Sequence, residues 1–180
     1  MHSDEAIMQA VAAGDLQQLS QLYRRYRDPL YGFLLRRANE PAVAEDLLQA
    51  VFERVIKYRS SYKGPSFRSW LYAIARNALH DRQRREGRMP RKNGVDLGEL
   101  PLTTPSVESD WEDREIRSQS LAALAALPAN YREVVDLAWK RGLKYAEIAA
   151  VLGISEANVK VRMYRATKQL KVNYAKLSAR

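Results

Sequence analysis

The chain has 180 residues, of which 30 are Lys or Arg and 21 are Asp or Glu, so it carries a net charge of +9. Hydrophobic residues make up 46% of the chain, which excludes wholesale disorder, and the absence of cysteine excludes disulfides, thiolate metal sites and a cysteine nucleophile. With only two histidines we expect no metal site and no cofactor, and the basic balance favours a polyanionic partner.

Residues 1–88 predict a bundle of helices, and they contain no alternating pattern typical of strands. Helical spacing begins with Ile7 and Val11 and is interrupted at Gly14-Asp15. A cap followed by proline at the first helical position predicts new helix starts at Asp28-Pro29 and at Asn39–Pro41. The chain has no apolar run long enough to span a membrane, and its first residues do not form a secretory signal, so we expect a soluble cytoplasmic protein without direct membrane insertion.

The helix that follows Pro41 has two distinct faces. Apolar residues recur at every fourth position from Val43 to Val55, which predicts a core-facing stripe. Asp46, Gln49 and Glu53 lie on another face, which we call the carboxylate stripe. No histidine is near it in sequence, so it does not resemble a metal or acid–base site. The sequence leaves open whether the stripe is a solvated helix face or a docking surface.

The next predicted helix, capped by Ser66, combines aromatic and basic side chains. We expect Phe67 and Trp70 in the core, whereas Tyr58 and Tyr62 fall in a polar loop and are better candidates for stacking on bases. Aromatic platforms among cations are typical of single-stranded nucleic-acid sites. The polar members of this candidate site are Arg68, Arg76, Asn77, Arg82, Arg84 and Arg85.

An acidic middle segment separates two basic blocks. Residues 91–120 carry 4 basic and 7 acidic residues, whereas residues 121–180 carry 11 basic and 4 acidic ones. Because Gly and Pro disfavour helices and strands, their concentration here predicts an acidic flexible linker over residues 89–110. The expected fold is therefore all-α, with two small helical domains over residues 1–88 and 111–180.

The C-terminal block predicts a helix-turn-helix. Helices are expected over Trp111–Leu127 and from Pro128 onward. A short helix over Tyr145–Leu152, a turn at Gly153 and a long basic helix after Ser155 complete the pattern.

The last helix carries residue types that read base edges in the major groove. An ordinary helical hairpin with a solvated basic face is the alternative, and the agreement of glycine, cap and one-sided charge favours DNA binding. The candidate contact residues are Asn158, Lys160, Val161, Arg162, Tyr164 and Arg165.

Four motifs, in this order and at these separations, resemble the extracytoplasmic-function group of bacterial sigma factors in the sigma-70 family. The resemblance covers nearly the whole chain. The matching segments are AEDLLQAVF at residues 44–52, FRSWLYAIARN at 67–77 followed by Asp81 and Arg84-Arg85, LPANYREV at 127–134, and YAEIA at 145–149 with VKVRMYRA at 159–166.

The resemblance implies a non-enzymatic promoter-specificity subunit that works with core RNA polymerase. Its first domain is expected to dock on a coiled coil of the largest polymerase subunit and to melt the minus-ten promoter element. The expected polymerase contacts are Asp46, Gln49, Phe52, Glu53 and Ile56.

The same resemblance assigns promoter contacts to both domains. A flipped base of the melted non-template strand is expected near Tyr62, Phe67 and Asn77, with phosphates on Arg68, Arg76, Arg82, Arg84 and Arg85. Lys160, Val161, Tyr164 and Arg165 are expected to read the minus-thirty-five element in duplex DNA, with Arg162 on a phosphate. An anti-sigma factor, often membrane-bound in this family, is the further expected partner.

The chain departs from the family pattern at the recognition helix and in the carboxylate stripe. Ala157-Asn158 stands where the family usually has Gly-Thr, Val161 where it has Ser, and Ala50 where it often has Glu. A valine facing the bases favours contact with a thymine methyl group.

Two other functions remain as alternatives. A stand-alone helix-turn-helix regulator would bind palindromic duplex DNA as a dimer. A nucleic-acid enzyme would need a metal cluster, a nucleophile or a phosphate-binding glycine loop, and the sequence shows none of these motifs.

Overall fold

The computed structural model describes residues 3–87 and 111–178, with side chains from residue 118 onward in the second range. Short 3-10 turns lie at Leu16–Gln18 and Arg59–Ser61, and a π-helical turn lies at Asp136–Lys140. Within these ranges there is no strand, which confirms the expected all-α fold. The helices are α1 Asp4–Ala12, α2 Leu19–Ala38, α3 Pro41–Lys57, α4 Phe67–Arg85, α5 Trp111–Ala125, α6 Ala129–Val135, α7 Tyr145–Leu152 and α8 Glu156–Ser178.

The chain divides into two compact units. The first contains α1 to α4 together with α7, and the second contains α5, α6 and α8. α7 belongs to the first unit because it packs on α4, where the Ser69 hydroxyl donates a hydrogen bond of 3.4 Å to the Glu147 carbonyl oxygen. The expected linker, residues 89–110, lies outside the described residues, so the predicted domain boundaries stay a prediction.

In the first unit α2, α3 and α4 pack around one core. The predicted stripe of α3 is buried, and Val51 and Val55 have no solvent exposure. Phe33 of α2 meets Tyr72 of α4 edge-to-face with ring centroids 5.0 Å apart. Each large side chain buried in this way stabilises the fold by roughly 1.5–3 kcal/mol, so the bundle rests mainly on apolar burial.

The helix start expected at Asp28-Pro29 is wrong, because α2 runs without a break from Leu19 to Ala38 with Pro29 inside it. A proline within a helix costs roughly 3 kcal/mol. Leu22, Leu30 and Phe33 are fully buried along one side of α2, while Pro29 is on the exposed side. The burial of this stripe outweighs the cost of the proline.

The other helix ends follow the sequence signals. Asn39 adopts the left-handed conformation that ends α2, with φ of 59°, and Pro41 occupies the first turn of α3. The Ser66 hydroxyl accepts a hydrogen bond from the Ser69 amide at 3.2 Å and caps α4 as expected. Gly153, with φ of 65°, ends α7 in the left-handed conformation that other residues rarely adopt.

In the second unit, polar side chains join the helices through backbone carbonyls. Arg132 Nη2 donates hydrogen bonds to the carbonyls of Ala125 and Leu127, at 2.5 and 2.8 Å, and so fixes α6 to the end of α5. Burial lowers the pKa of the Arg132 guanidinium. Asn173 of α8 donates to the Ala123 carbonyl at 3.1 Å. The Asn173 bond thus ties α8 to α5.

Candidate functional site

The predicted groove-reading residues lie on the exposed side of α8, which we call the recognition face. Val159, Met163 and Ala166 are buried, whereas Val161 is 46% and Tyr164 is 71% exposed. The first two turns of α8 thus present large side chains to solvent on an anchored helix. The recognition face comprises Asn158, Lys160, Val161, Arg162, Tyr164 and Arg165.

Two members of the recognition face are already paired with each other. Arg162 Nε donates a hydrogen bond of 3.0 Å to Asn158 Oδ1, one turn earlier on α8. Asn158 to Arg165 spans about 10 Å along the helix axis, which is roughly three base pairs of duplex DNA. The face therefore has the length and composition of a major-groove reader.

The predicted single-strand site centres on an aromatic cluster formed by Tyr26, Tyr62, Phe67 and Trp70. Tyr62 packs edge-on against Trp70 with centroids 5.3 Å apart, and Phe67 packs against Tyr26 at the same distance. Phe67 has no solvent exposure, as expected for a core residue. The expectation that Tyr62 lies open in a polar loop is wrong, because it folds back onto Phe67 and Trp70 and is 8% exposed. Tyr58 is 46% exposed, so it fits the expected stacking role.

The remaining predicted minus-ten residues are spread along α4. Arg68 is exposed beside the aromatic cluster and forms a hydrogen bond with the Tyr26 hydroxyl, which raises the pKa of Arg68. Arg76 is half-buried and Asn77 is exposed near the middle of the helix. Phe67 and Arg85 are about 27 Å apart along α4, so the structure does not gather the predicted set at one point.

At the far end of α4, Arg82, Arg84 and Arg85 form an arginine cluster with partners inside the protein. Arg82 Nε lies 2.6 Å from a Glu86 carboxylate oxygen, and Arg84 lies 3.1 Å from Asp81. Asp81 also pairs with Arg54 of α3 at 2.9 Å. These ion pairs are partly exposed and orient the arginines more than they stabilise the fold.

The arginine cluster and the carboxylate stripe meet at one open groove. A cavity of about 330 Å³ between α3 and α4 is lined by Asp46, Leu47, Ala50, Arg82, Arg85 and Glu86. Sequence reasoning assigned Asp46 and the two arginines to different partners, and no local pattern indicated that they share a surface. Because its lining includes both carboxylates and guanidinium groups, the groove carries both signs of charge.

The rest of the carboxylate stripe is exposed on α3. Gln49 Nε2 donates a hydrogen bond of 2.9 Å to Glu53 Oε1, and Ile56 beyond it is 37% exposed. Phe52, predicted as a contact residue, is only 6% exposed because it packs edge-on against Tyr23 of α2 at 4.8 Å. Tyr23 is 40% exposed and extends this surface, although sequence reasoning did not include it.

Sequence reasoning also missed Asp4 and Glu5, the first residues of α1. Glu5 Oε1 accepts a hydrogen bond of 3.2 Å from the amide of Phe67, 62 residues away. Asp4 pairs with Arg25 at 2.5 Å and accepts a hydrogen bond from the Tyr26 hydroxyl. Burial, followed by the charges of Glu5 and Asp4, raises the pKa of Tyr62. The acidic pair marks a helix start in the sequence, but nothing local indicates its distant partners.

Comparison with known proteins decides the family. The model of Sigma-70 region 2 matches residues 22–89, and the model of Sigma-70, region 4 matches residues 119–170. The ECF RNA polymerase sigma factor SigM of Bacillus subtilis is 33% identical over 156 residues, which cover 87% of this chain and 94% of SigM. The chain belongs to the ECF sigma factors. SigE of Mycolicibacterium smegmatis, also an ECF sigma factor, is 34% identical over 98% of this chain and 71% of its own length.

Solved structures agree with the fold of this ECF sigma factor. CnrH, in its complex with the cytosolic domain of CnrY, matches with a TM-score of 0.66 and 24% identity over 99% of both chains. RpoE from Bartonella quintana, in its co-crystal with the anti-sigma factor NepR, matches with a TM-score of 0.63 and 24% identity over 87% of this chain and 96% of that one. Region 2 of the sigma factor thus carries the aromatic cluster and the groove, and region 4 carries the recognition face.

None of the helices within residues 3–87 and 111–178 combines the length and apolar character needed to cross a membrane.

Proposed function

We infer that this ECF sigma factor is the promoter-specificity subunit of bacterial RNA polymerase. It binds the core enzyme, recognises the minus-thirty-five and minus-ten elements and directs the initiation of transcription. The observation that carries this conclusion is the presence of both sigma-70 regions in one chain that matches ECF sigma factors over most of its length.

We propose that the recognition face reads the minus-thirty-five element in the major groove. Tyr164 and Val161 are the most exposed apolar members, and Lys160 and Arg165 are exposed cations beside them. Arginine and lysine donate to guanine, and a valine side chain contacts a thymine methyl group. Arg162, turned toward Asn158, contacts a phosphate in this arrangement.

The minus-ten element is opened at the aromatic end of α4. We propose that a base extruded from the non-template strand stacks on the exposed Tyr58, while the buried Tyr62 and Phe67 support the site from within the core. Capture of an unstacked base shifts the melting equilibrium toward the open strand. Arg68, which is exposed at this end, neutralises a phosphate of the same strand.

The core polymerase docks on α3 through the carboxylate stripe and Ile56. Because Arg82 and Arg85 line the groove next to Asp46, the docking surface extends onto α4 and presents both charges to the partner. This assignment takes the groove arginines away from the melted strand and gives them to the polymerase interface. Arg84, which is 83% exposed, keeps a phosphate contact.

An anti-sigma factor completes the set of proposed partners. The proposal rests on the family and on the fold shared with RpoE, which was crystallised with the anti-sigma factor NepR. The sigma factor performs no catalysis of its own in this account, and it acts where core polymerase meets the chromosome, in the cytoplasm.

Selection of promoter DNA tests the function. The purified chain is combined with core polymerase, bound fragments are selected from a randomised duplex library at a stated salt concentration, and the chain alone is carried through the same selection. We expect the complex to enrich two separated elements near the minus-thirty-five and minus-ten positions. Enrichment of a palindrome by the chain alone would instead indicate a dimeric stand-alone regulator.

A further inference from the structure

The first turn of α1 places two carboxylates against the start of α4, where the minus-ten site lies. Glu5 Oε1 accepts the hydrogen bond from the Phe67 amide, and Phe67 is the first residue of α4. The first amides of a helix have no partner within the helix, so they need acceptors from elsewhere. Ser66 supplies one such acceptor, to the Ser69 amide, and Glu5 of α1 supplies another, to the Phe67 amide.

Asp4 acts on the same site through Tyr26. The Tyr26 hydroxyl donates to the Asp4 carboxylate and also forms a hydrogen bond with Arg68. Since a carboxylate only accepts and a guanidinium only donates, the hydroxyl links the two with its proton toward Asp4. The exposed Arg68 is thereby held on the side of α4 that carries Phe67.

α1 is firmly anchored, so its carboxylates are fixed in place. Ile7 is 2% exposed, and Met8 and Val11 have no exposure at all. The Ser3 hydroxyl accepts from the Ala6 amide at 3.2 Å and caps the helix just before Asp4. Arg25 balances the charge of Asp4, and the Glu5 carboxylate is engaged by the Phe67 amide, so both acidic side chains have fixed partners within the first unit.

We propose that Asp4 and Glu5 are positioning residues for minus-ten strand capture: Glu5 fixes the first turn of α4 at Phe67, and Asp4 fixes Arg68 through Tyr26. The proposal rests on the minus-ten function proposed above. It assigns a role in promoter opening to α1, which lies outside the segment matched by Sigma-70 region 2. For this role the side chain at position 5 must accept a hydrogen bond, and its charge matters less.

The test measures binding of a fluorescent single-stranded oligonucleotide, carrying the selected minus-ten sequence, to the holoenzyme. Glu5→Ala should weaken binding about tenfold, because it leaves the Phe67 amide without an acceptor and an unsatisfied donor costs on the order of the energy of a tenfold change. Glu5→Gln retains an acceptor oxygen and should stay within about twofold of the wild type. Asp4→Ala should lose about as much as Glu5→Ala.

Gln9→Ala is the matched control, because Gln9 lies exposed on the same helix. Affinity for core polymerase and for minus-thirty-five duplex is measured in parallel and should not change in any variant. If Glu5→Ala does not fold by circular dichroism, Glu5→Asp, which withdraws the acceptor by one methylene, should still weaken capture by about threefold.

Equal oligonucleotide binding by Glu5→Ala and Gln9→Ala would overturn the proposal. A loss of core-polymerase affinity that parallels the loss of oligonucleotide affinity would also overturn it, and so would a Glu5→Gln variant that binds as weakly as Glu5→Ala. Wild-type oligonucleotide affinity in Glu5→Asp would likewise overturn the proposal. Failure of the wild-type holoenzyme to prefer the minus-ten sequence is a separate result, and it would refute the proposed minus-ten function together with this inference.

Discussion

Replacement of Arg165 by alanine separates base reading from simple charge attraction. Arg165 is exposed on α8, opposite the buried Val159 and Met163, so its removal should change the free energy of unfolding by less than about 0.5 kcal/mol. A bidentate contact to guanine contributes roughly 1–3 kcal/mol of discrimination. At about 1.4 kcal/mol per factor of ten, the holoenzyme should lose about 5- to 150-fold in affinity at one base pair.

The assay compares holoenzyme binding to duplexes that carry each single base-pair change of the minus-thirty-five element. The Arg165→Ala enzyme should bind the consensus less tightly and should no longer distinguish substitutions at one position. Lys176→Ala is the charge-matched control, because Lys176 is exposed on α8 about 16 Å further along the axis, which exceeds the major-groove width of about 12 Å. Uniform weakening on every sequence, with a salt slope reduced by about one, would refute base reading and indicate a phosphate contact.

Three further substitutions test other parts of the molecule. Asp46→Ala should lower affinity for core polymerase by about fivefold or more while the protein stays folded, because Asp46 is exposed on α3. Glu45→Ala should leave this affinity unchanged. Equal affinities of the two variants would mean that the carboxylate stripe is merely solvated. Replacing the thymine opposite Val161 by uracil should weaken DNA binding by the wild-type holoenzyme but not by the Val161→Ser holoenzyme. Equal losses of affinity in the two would exclude a contact with the thymine methyl group. Burial, with Asp4 beside it, raises the pKa of Tyr26 to about 12. Because unfolded tyrosine ionises near pH 10, wild-type stability should fall by up to about 3 kcal/mol between pH 10 and 12 in urea titrations. Tyr26→Phe should lose less stability over this pH range, because only the smaller contribution of Tyr62 remains. A loss equal to that of the wild type would contradict the assignment to Tyr26.

Local chemistry made much of region 4 and of the helix ends predictable. The expected bounds of α7, Tyr145–Leu152, agree with the structure because Gly153 supplies the left-handed ending. Ser66 caps α4 through a contact three residues away, which any helix start of this type makes. Such signals depend on neighbours in sequence, so the sequence alone suffices to identify them.

Long-range packing accounts for what the sequence did not predict. Pro29 lies inside α2 because burial on the opposite side of the helix outweighs its cost. Tyr62 is buried by aromatic partners, and the Glu5–Phe67 contact joins residues 62 positions apart. The groove shared by Asp46 and Arg82 likewise depends on how α3 and α4 pack. Each of these features decides how a functional surface is built.

Run-off transcription with purified core polymerase tests the central claim most directly. The template is a linear duplex that carries the selected minus-thirty-five and minus-ten elements, and a template with scrambled elements serves as control. We predict a transcript of defined length only when the chain is added to core polymerase on the intact promoter. No transcript above that of core enzyme alone, or equal transcription from the scrambled template, at every salt concentration tested, would contradict the assignment of this protein as a promoter-specificity subunit.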